Sequence, residues 1–166
     1  MQTAFDFDSV PTTTFRMLCV VRHGHYRDRR LSDEGRDDIN DLAELLKTRF
    51  QGLKVCLFSS PIVRAKESAE ILSERLGIPF VENEYLAAPG DSLDQEQIEE
   101  ALKLVAEKSL EYEVVVLCTH LPFIDEFPRI WGKTRGFRIH LGSDRAKGTA
   151  FLVDAETGMF DHVYPR

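Results

Sequence analysis

Short apolar runs alternate with longer stretches of helical periodicity along this chain, and that alternation narrows the fold more than any other feature. Met17-Leu18-Cys19-Val20-Val21, preceded by Phe15 and Arg16, is a continuous apolar run of strand length. Ser32 then predicts a helix cap, with Asp33 and Glu34 in the first turn and Ile39, Leu42, Leu45 and Leu46 on one stripe. Residues 54–58 read as a second strand. Ser60-Pro61 predicts the opening of a second helix, Ser as cap and Pro at the first helical position. Ile62, Ala65, Ala69, Leu72 and Leu76 follow at spacings of three and four, and Gly77 is its stop.

The second half repeats the pattern. A short strand is expected at 80–81, then a loop, Ala87-Ala88-Pro89-Gly90, and a helix over 93–109 carried by Ile98, Leu102 and Val105. A buried strand at 114–118 ends at Thr119-His120. Pro122 starts a fourth helix, which Pro128 is expected to kink or shorten. Residues 149–153 and 159–163 predict an antiparallel hairpin around Glu156-Thr157-Gly158.

This order gives a three-layer α/β/α sandwich with a mostly parallel central sheet. In such sheets ligands collect beyond the carboxyl ends of the strands. His23, Ser59-Ser60 and His120 all follow strand ends, so they share one edge if those strands are parallel neighbours. Arg64, one turn into the second helix, reaches the same edge.

The 166 residues suit one domain, expected over 15–166 behind a loose leader at 1–14. A formal net charge of −7 makes nucleic acid and anionic membrane poor partners. Yet Arg22, Arg27, Arg29 and Arg30 crowd together with only Asp28 opposing them, a local cationic site suited to a small anion. Cys19, Cys56 and Cys118 each lie within an apolar run and read as buried core, compatible with a reducing compartment. The leader lacks the basic start and apolar core of a signal peptide, and no apolar run approaches a membrane span. A cytoplasmic protein is expected.

Arg22-His23-Gly24 is the motif that carries chemistry. An imidazole can attack phosphorus and hold a phosphoryl group covalently, and a guanidinium matches the forked oxygens of phosphate. Competing chemistries fare worse. His23, His25 and His120 resemble a metal set, but no carboxylate stands at a telling spacing and the arginines repel a cation. Gly132-Lys133-Thr134 lacks the upstream glycine of a phosphate loop, because position 127 is Phe. Gly24 lacks the companions of a dinucleotide fingerprint, and no cysteine has the arginine spacing of a cysteine phosphatase.

The segments VVRHG, LSDEG, SSPIVRAKESAEIL and CTHLPF, in that order, resemble the successive motifs of the histidine phosphatase superfamily. The short length, THLPFI and the segment from Glu84-Tyr85-Leu86 to Gly90-Asp91 are most similar to its SixA-type phosphohistidine phosphatases. The resemblance runs from about residue 16 to 153. It implies a phosphoglycerate mutase-like fold and a phosphohistidine intermediate on His23. Arg22, Arg64 and His120 then hold the phosphoryl oxygens, His120 donating in its protonated form. Arg29, or Arg30 if the loop register is off by one, lines the pocket.

Glu84 is the implied proton donor, with Glu82 its nearest competitor. His25 stands where the family commonly has an acidic residue or Gln, and either tunes His23 and meets substrate or is an exposed loop residue. No metal or cofactor is implied. The substrate is expected to be phosphohistidine on a protein. A small phosphomonoester, or silent binding of phosphorylated partners, are the other readings.

Overall fold

In the computed structural model, residues 14–88, 90, 92–140 and 146–165 are described; the leader, apart from Thr14, and Arg166 lie outside them. Six strands form one sheet: β1 (Met17–Arg22), β4 (Val55–Ser59), β5 (Phe80–Glu82), β6 (Val114–Thr119), β7 (Ala150–Asp154) and β8 (Phe160–Val163). Their order is β5-β4-β6-β1-β7-β8. The first four are mutually parallel; β7 runs antiparallel to β1, and β8 to β7. The expected closing hairpin is therefore present. Its turn is held by the Asp154 carboxylate, which accepts the N–H groups of Glu156 and Thr157 at 2.9 and 2.8 Å.

Strand alternation sorts the core onto two faces. Leu18 and Val20 of β1, with Val115 and Leu117 of β6, pack under helices α3 (Gln95–Lys108) and α4 (Leu121–Thr134). Cys19 and Val21, with Val114, Val116 and Cys118, face α1 (Asp33–Arg49) and α2 (Val63–Leu76). All six residues of β6 are buried, as a central parallel strand requires. Each fully buried Val or Leu contributes roughly 1.5–3 kcal/mol. All three cysteines are free and buried, and desolvation pushes the thiol of Cys56 up to about 12, which leaves it inert.

The helix ends show which local signals held. Ser32 caps α1, its hydroxyl accepting the Gly35 N–H at 3.1 Å, and Gly77 ends α2 in the left-handed conformation. The start of α2 differs from expectation. The helix begins at Val63 behind Ile62, because the Ser60 hydroxyl is engaged by the Ile62 N–H and by His120 instead of capping a helix. Pro128 does not end α4, which continues to Thr134. Two features carried no sequence signal: a small ribbon of β2 (Tyr26–Arg27) and β3 (Arg30–Leu31), and a 3-10 turn at Glu84–Leu86. The ribbon's turn places Asp28 and Arg29 at φ 52° and 74°. An arginine there costs roughly 1–2 kcal/mol relative to a right-handed conformation.

Candidate active site

Register brings the strand ends level. Arg22 pairs with Thr119, and Ser59 with Cys118. The ladder runs one bond further: His23 N–H donates to Thr119 O, and Ser60 N–H to Cys118 O, each at 3.0 Å. Because β6 lies between β1 and β4, residues 23, 60 and 120 emerge side by side.

The turn after β1 is fixed from three directions. Its Gly24 N–H donates to Ser68 Oγ at 3.1 Å, and that hydroxyl donates to Arg64 O at 2.8 Å, tying the turn to α2. Gly148 N–H, just before β7, donates to the carbonyls of Arg22 and His23 at 3.1 and 2.9 Å. The third contact is with the start of α1. A Cβ on Gly24 would stand 2.7 Å from Gly35 O, and one on Gly35 would collide with the His25 carbonyl. The glycines of VVRHG and LSDEG are thus two sides of one close backbone approach.

His23 is buried and its Nδ1 lies 2.9 Å from its neighbour's carbonyl, Gly24 O. A carbonyl only accepts, so Nδ1 carries the proton and Nε2 the lone pair. Arg64 Nε–H donates to that Nε2 at 3.2 Å. Burial first, with the Gly24 bond opposing and the charges of Arg64 and Arg22 adding, pushes the His23 imidazole down to about 3. It is therefore neutral at pH 7.

His120 is buried beside it, ring centroids 5.2 Å apart. Desolvation, then Arg64 and Arg22, push it down to about 4, so it too is neutral at pH 7. Its Nε2 lies 2.8 Å from Ser60 Oγ, while Nδ1 is buried with no hydrogen-bond partner among the described residues.

These groups border a pocket of about 310 Å³ lined by Arg22, His23, Arg64 and His120, with Tyr26, Ala88 and Pro122 among its walls. Tyr26 sits edge-on to His23 and stacks on Arg64, whose Cζ is 4.6 Å from the ring centroid. Larger hollows lie elsewhere, including one of about 610 Å³ near the opposite end of the sheet. Its arginines are committed to protein partners: Arg16 to Glu113, Arg49 to Asp161, and Arg135 to Ala155 O. The smaller pocket is where titratable groups converge.

The remaining expected site residues do not line the pocket. Arg29 is exposed at the tip of the β2–β3 ribbon. Arg30 turns to Glu67, with Nη2 at 2.8 Å and Nε at 3.2 Å from Oε2. Glu84 opens the 3-10 turn and is exposed, and Glu82 lies 3.8 Å from Lys66 Nζ. His25 Nδ1 stands 3.3 Å from Asp38 Oδ2, too poorly aligned for a hydrogen bond. His25, Glu34 and Asp38 bring one ligand atom each within 4.8 Å of one another, outside the pocket lining.

Glu67 was invisible in the sequence. It lies off the apolar stripe of α2, yet it is buried and accepts from Leu31 N–H at 2.9 Å, from Arg30, and from Arg36 at 3.1 Å. Burial alone would raise its carboxyl, but these donors outweigh it and hold it below the usual range. Tyr26, too, gave no signal beyond an aromatic ring in an arginine-rich loop.

The family model of the histidine phosphatase superfamily (branch 1) matches residues 18–88, which hold the β1 turn and the start of α2. That match covers less than half of the chain; over the rest, the likeness to known proteins is one of fold. The protein histidine phosphatase SixA complexed with tungstate is similar at 19% identity and a TM-score of 0.64, over 90% of this chain and 97% of that one. The putative phosphohistidine phosphatase SixA from Agrobacterium tumefaciens gives 17% and 0.65, over 90% and 99%. A mycobacterial glucosyl-3-phosphoglycerate phosphatase complexed with VO3 gives 20% and 0.62, over 89% and 97%. No curated protein matches the chain. Among the described residues, no helix is long and apolar enough to cross a membrane.

Proposed function

We propose that this histidine phosphatase fold is a metal-independent phosphohydrolase that works through a phosphohistidine on His23, with phosphohistidine on a protein as its substrate. One observation carries the reading: the Gly24 carbonyl fixes the His23 proton on Nδ1, so a neutral ring aims its Nε2 lone pair among Arg22, Arg64 and His120.

The chemistry follows from that tautomer. A phosphoryl group enters as Arg64 exchanges its bond to Nε2 for bonds to phosphoryl oxygens, joined by Arg22. The Ser60 hydroxyl already accepts from Ile62, and its own proton is best spent on His120 Nε2. That places a proton on the unpartnered Nδ1 of His120, a donor for a third oxygen. Nε2 of His23 bonds to phosphorus as the bond to the leaving group breaks. Water then attacks phosphorus, the P–Nε2 bond breaks, and the electron pair returns to His23 while the water proton passes to solvent.

The leaving group decides between substrates. Among the described residues no carboxylate lines the pocket. An alkoxide needs an acid to leave; a departing imidazole takes a proton from water at its other nitrogen and leaves neutral. This supports phosphohistidine over a phosphate ester, the likeness to a glucosyl-3-phosphoglycerate phosphatase notwithstanding. The test is a comparison of kcat/KM on a phosphohistidine peptide and on sugar phosphates, with an alkaline quench to trap the enzyme. Preference for the peptide and an acid-labile phosphate on His23, lost in His23→Ala, are expected. A fully active His23→Ala protein overturns the mechanism, and a preference for sugar phosphates overturns the substrate class.

A further inference from the structure

One cation beside the pocket has no part in the chemistry above. Lys147 Nζ lies 5.8 Å from the centroid of the Tyr26 ring, and Tyr26 lines the pocket. The next residue, Gly148, is the one bonded to the carbonyls of Arg22 and His23. Gly148 is itself closely set: its φ is +74°, and an added Cβ would lie 3.2 Å from Asp38 Cβ. Thr149 Oγ1 donates to Ala146 O at 2.7 Å, closing the turn that carries the lysine. Lys147 is thus held one residue from the catalytic turn, at the rim and not among the groups that line the pocket. No carboxylate of the described residues pairs with it.

Lys147 is half-buried, and the ribbon that bears Tyr26 bears a second cation, Arg29, which is exposed. Arg29 occupies the second place of a two-residue turn with both φ values positive, where glycine is the favoured residue. Glu67 anchors the ribbon's return strand through Arg30 and Leu31. Both cations lie outside the pocket lining, Lys147 beside the Tyr26 wall and Arg29 at the tip of the ribbon. A protein of net charge −7 repels acidic partners in general, and a cation beside the pocket, as Lys147 is, offsets that repulsion for a partner oriented with its phosphoryl group inward.

We propose that Lys147, with Arg29 as an outlying second cation, binds acidic residues flanking the phosphorylated histidine of a protein substrate, and so selects that substrate. This rests on the phosphohistidine reading above. The residue is specificity-determining, because it touches the flank and not the reacting atoms.

Two phosphohistidine peptides, identical except for Glu and Asp flanks in one and Gln and Asn flanks in the other, test it. Exposed charge pairs lead us to expect a kcat/KM ratio of roughly three- to tenfold for the acidic flank at low ionic strength, shrinking with salt. Lys147→Gln moves the ratio toward one through KM, Lys147→Arg keeps it, and Lys147→Glu reverses it. Arg29→Gly lowers it by a smaller factor. A wild-type ratio of one, or a ratio unchanged in Lys147→Gln and Lys147→Glu, overturns the proposal. If neither peptide is hydrolysed but a sugar phosphate is, the substrate reading has failed, and the lysine is judged by fluorescence anisotropy with the unphosphorylated peptides. Tighter binding of the acidic one, lost in Lys147→Gln, supports the acidic flank; equal binding overturns it.

Discussion

The Nε–H of Arg64 donates to Nε2 of His23 across 3.2 Å, so the guanidinium sits on the one ring nitrogen that Gly24 leaves free. The same contact orients the lone pair and places a cation where a phosphoryl oxygen would come. It follows that Arg64 must be lost at greater cost than a simple charge. Arg64→Ala is expected to lower kcat/KM by about 10²- to 10³-fold, the loss typical of removing one transition-state donor. Arg64→Lys restores little of it, because an ammonium lacks the fork and cannot place Nε. Steady-state kinetics on a phosphohistidine peptide measures both; near-wild-type Arg64→Ala would remove the residue from the site.

Two buried neutral histidines make the fold sensitive to mild acid. His23 and His120 titrate near 3 and 4 when folded, against an unfolded value of about 6.5. The unfolded chain therefore binds protons first, and stability that is full above pH 6.5 declines as pH falls toward 4. Between pH 7 and 5 each ring accounts for about 2 kcal/mol of that decline. Denaturant melts at the two pH values check it: His120→Asn should show a visibly flatter dependence than the wild type.

Glu67 gathers Arg30, Arg36 and the Leu31 N–H on one buried carboxylate. Glu67→Ala leaves the N–H unsatisfied and is expected to cost about 1–3 kcal/mol of unfolding free energy. Arg30 is largely exposed, so Arg30→Ala should cost far less. Equal losses would mean that the ion pair, and not the backbone bond, holds the ribbon.

Gly35 has no room for a side chain, since a Cβ meets the His25 carbonyl backbone. Gly35→Ala must push the His23 turn away from α1, so activity should fall by more than tenfold as stability falls by roughly 1–3 kcal/mol. Kinetics and thermal melts together check this. Gly52→Ala is the control: nothing lies within 4 Å of its Cβ, and only the strain of φ +78° is added.

Glu84 opens its turn exposed and outside the pocket lining. Glu84→Gln should therefore keep kcat on a phosphohistidine peptide within about twofold, since the leaving imidazole needs no acid from it. A loss of tenfold or more would return the proton-donor role to this residue.

Periodicity alone settled the layered α/β architecture, because apolar spacing is a local property: strand runs of five to six residues and stripes at three and four survive any tertiary context. The same holds for the Ser32 cap and the Gly77 stop, whose signals lie within one turn of the residues they serve. His23 and His120 were legible because each follows a strand end, and Arg64 because it opens the helix after one; parallel order makes strand ends meet. Tertiary structure alone decided the rest. Ser60 was a helix cap by its neighbours and became a partner of His120, because β6 brought that ring within 2.8 Å. Arg29 and Arg30 stand side by side in sequence, yet a left-handed turn exposes one and Glu67, remote in the chain, captures the other. Which charged group faces substrate depends on long-range pairing energies, and those have no period to read.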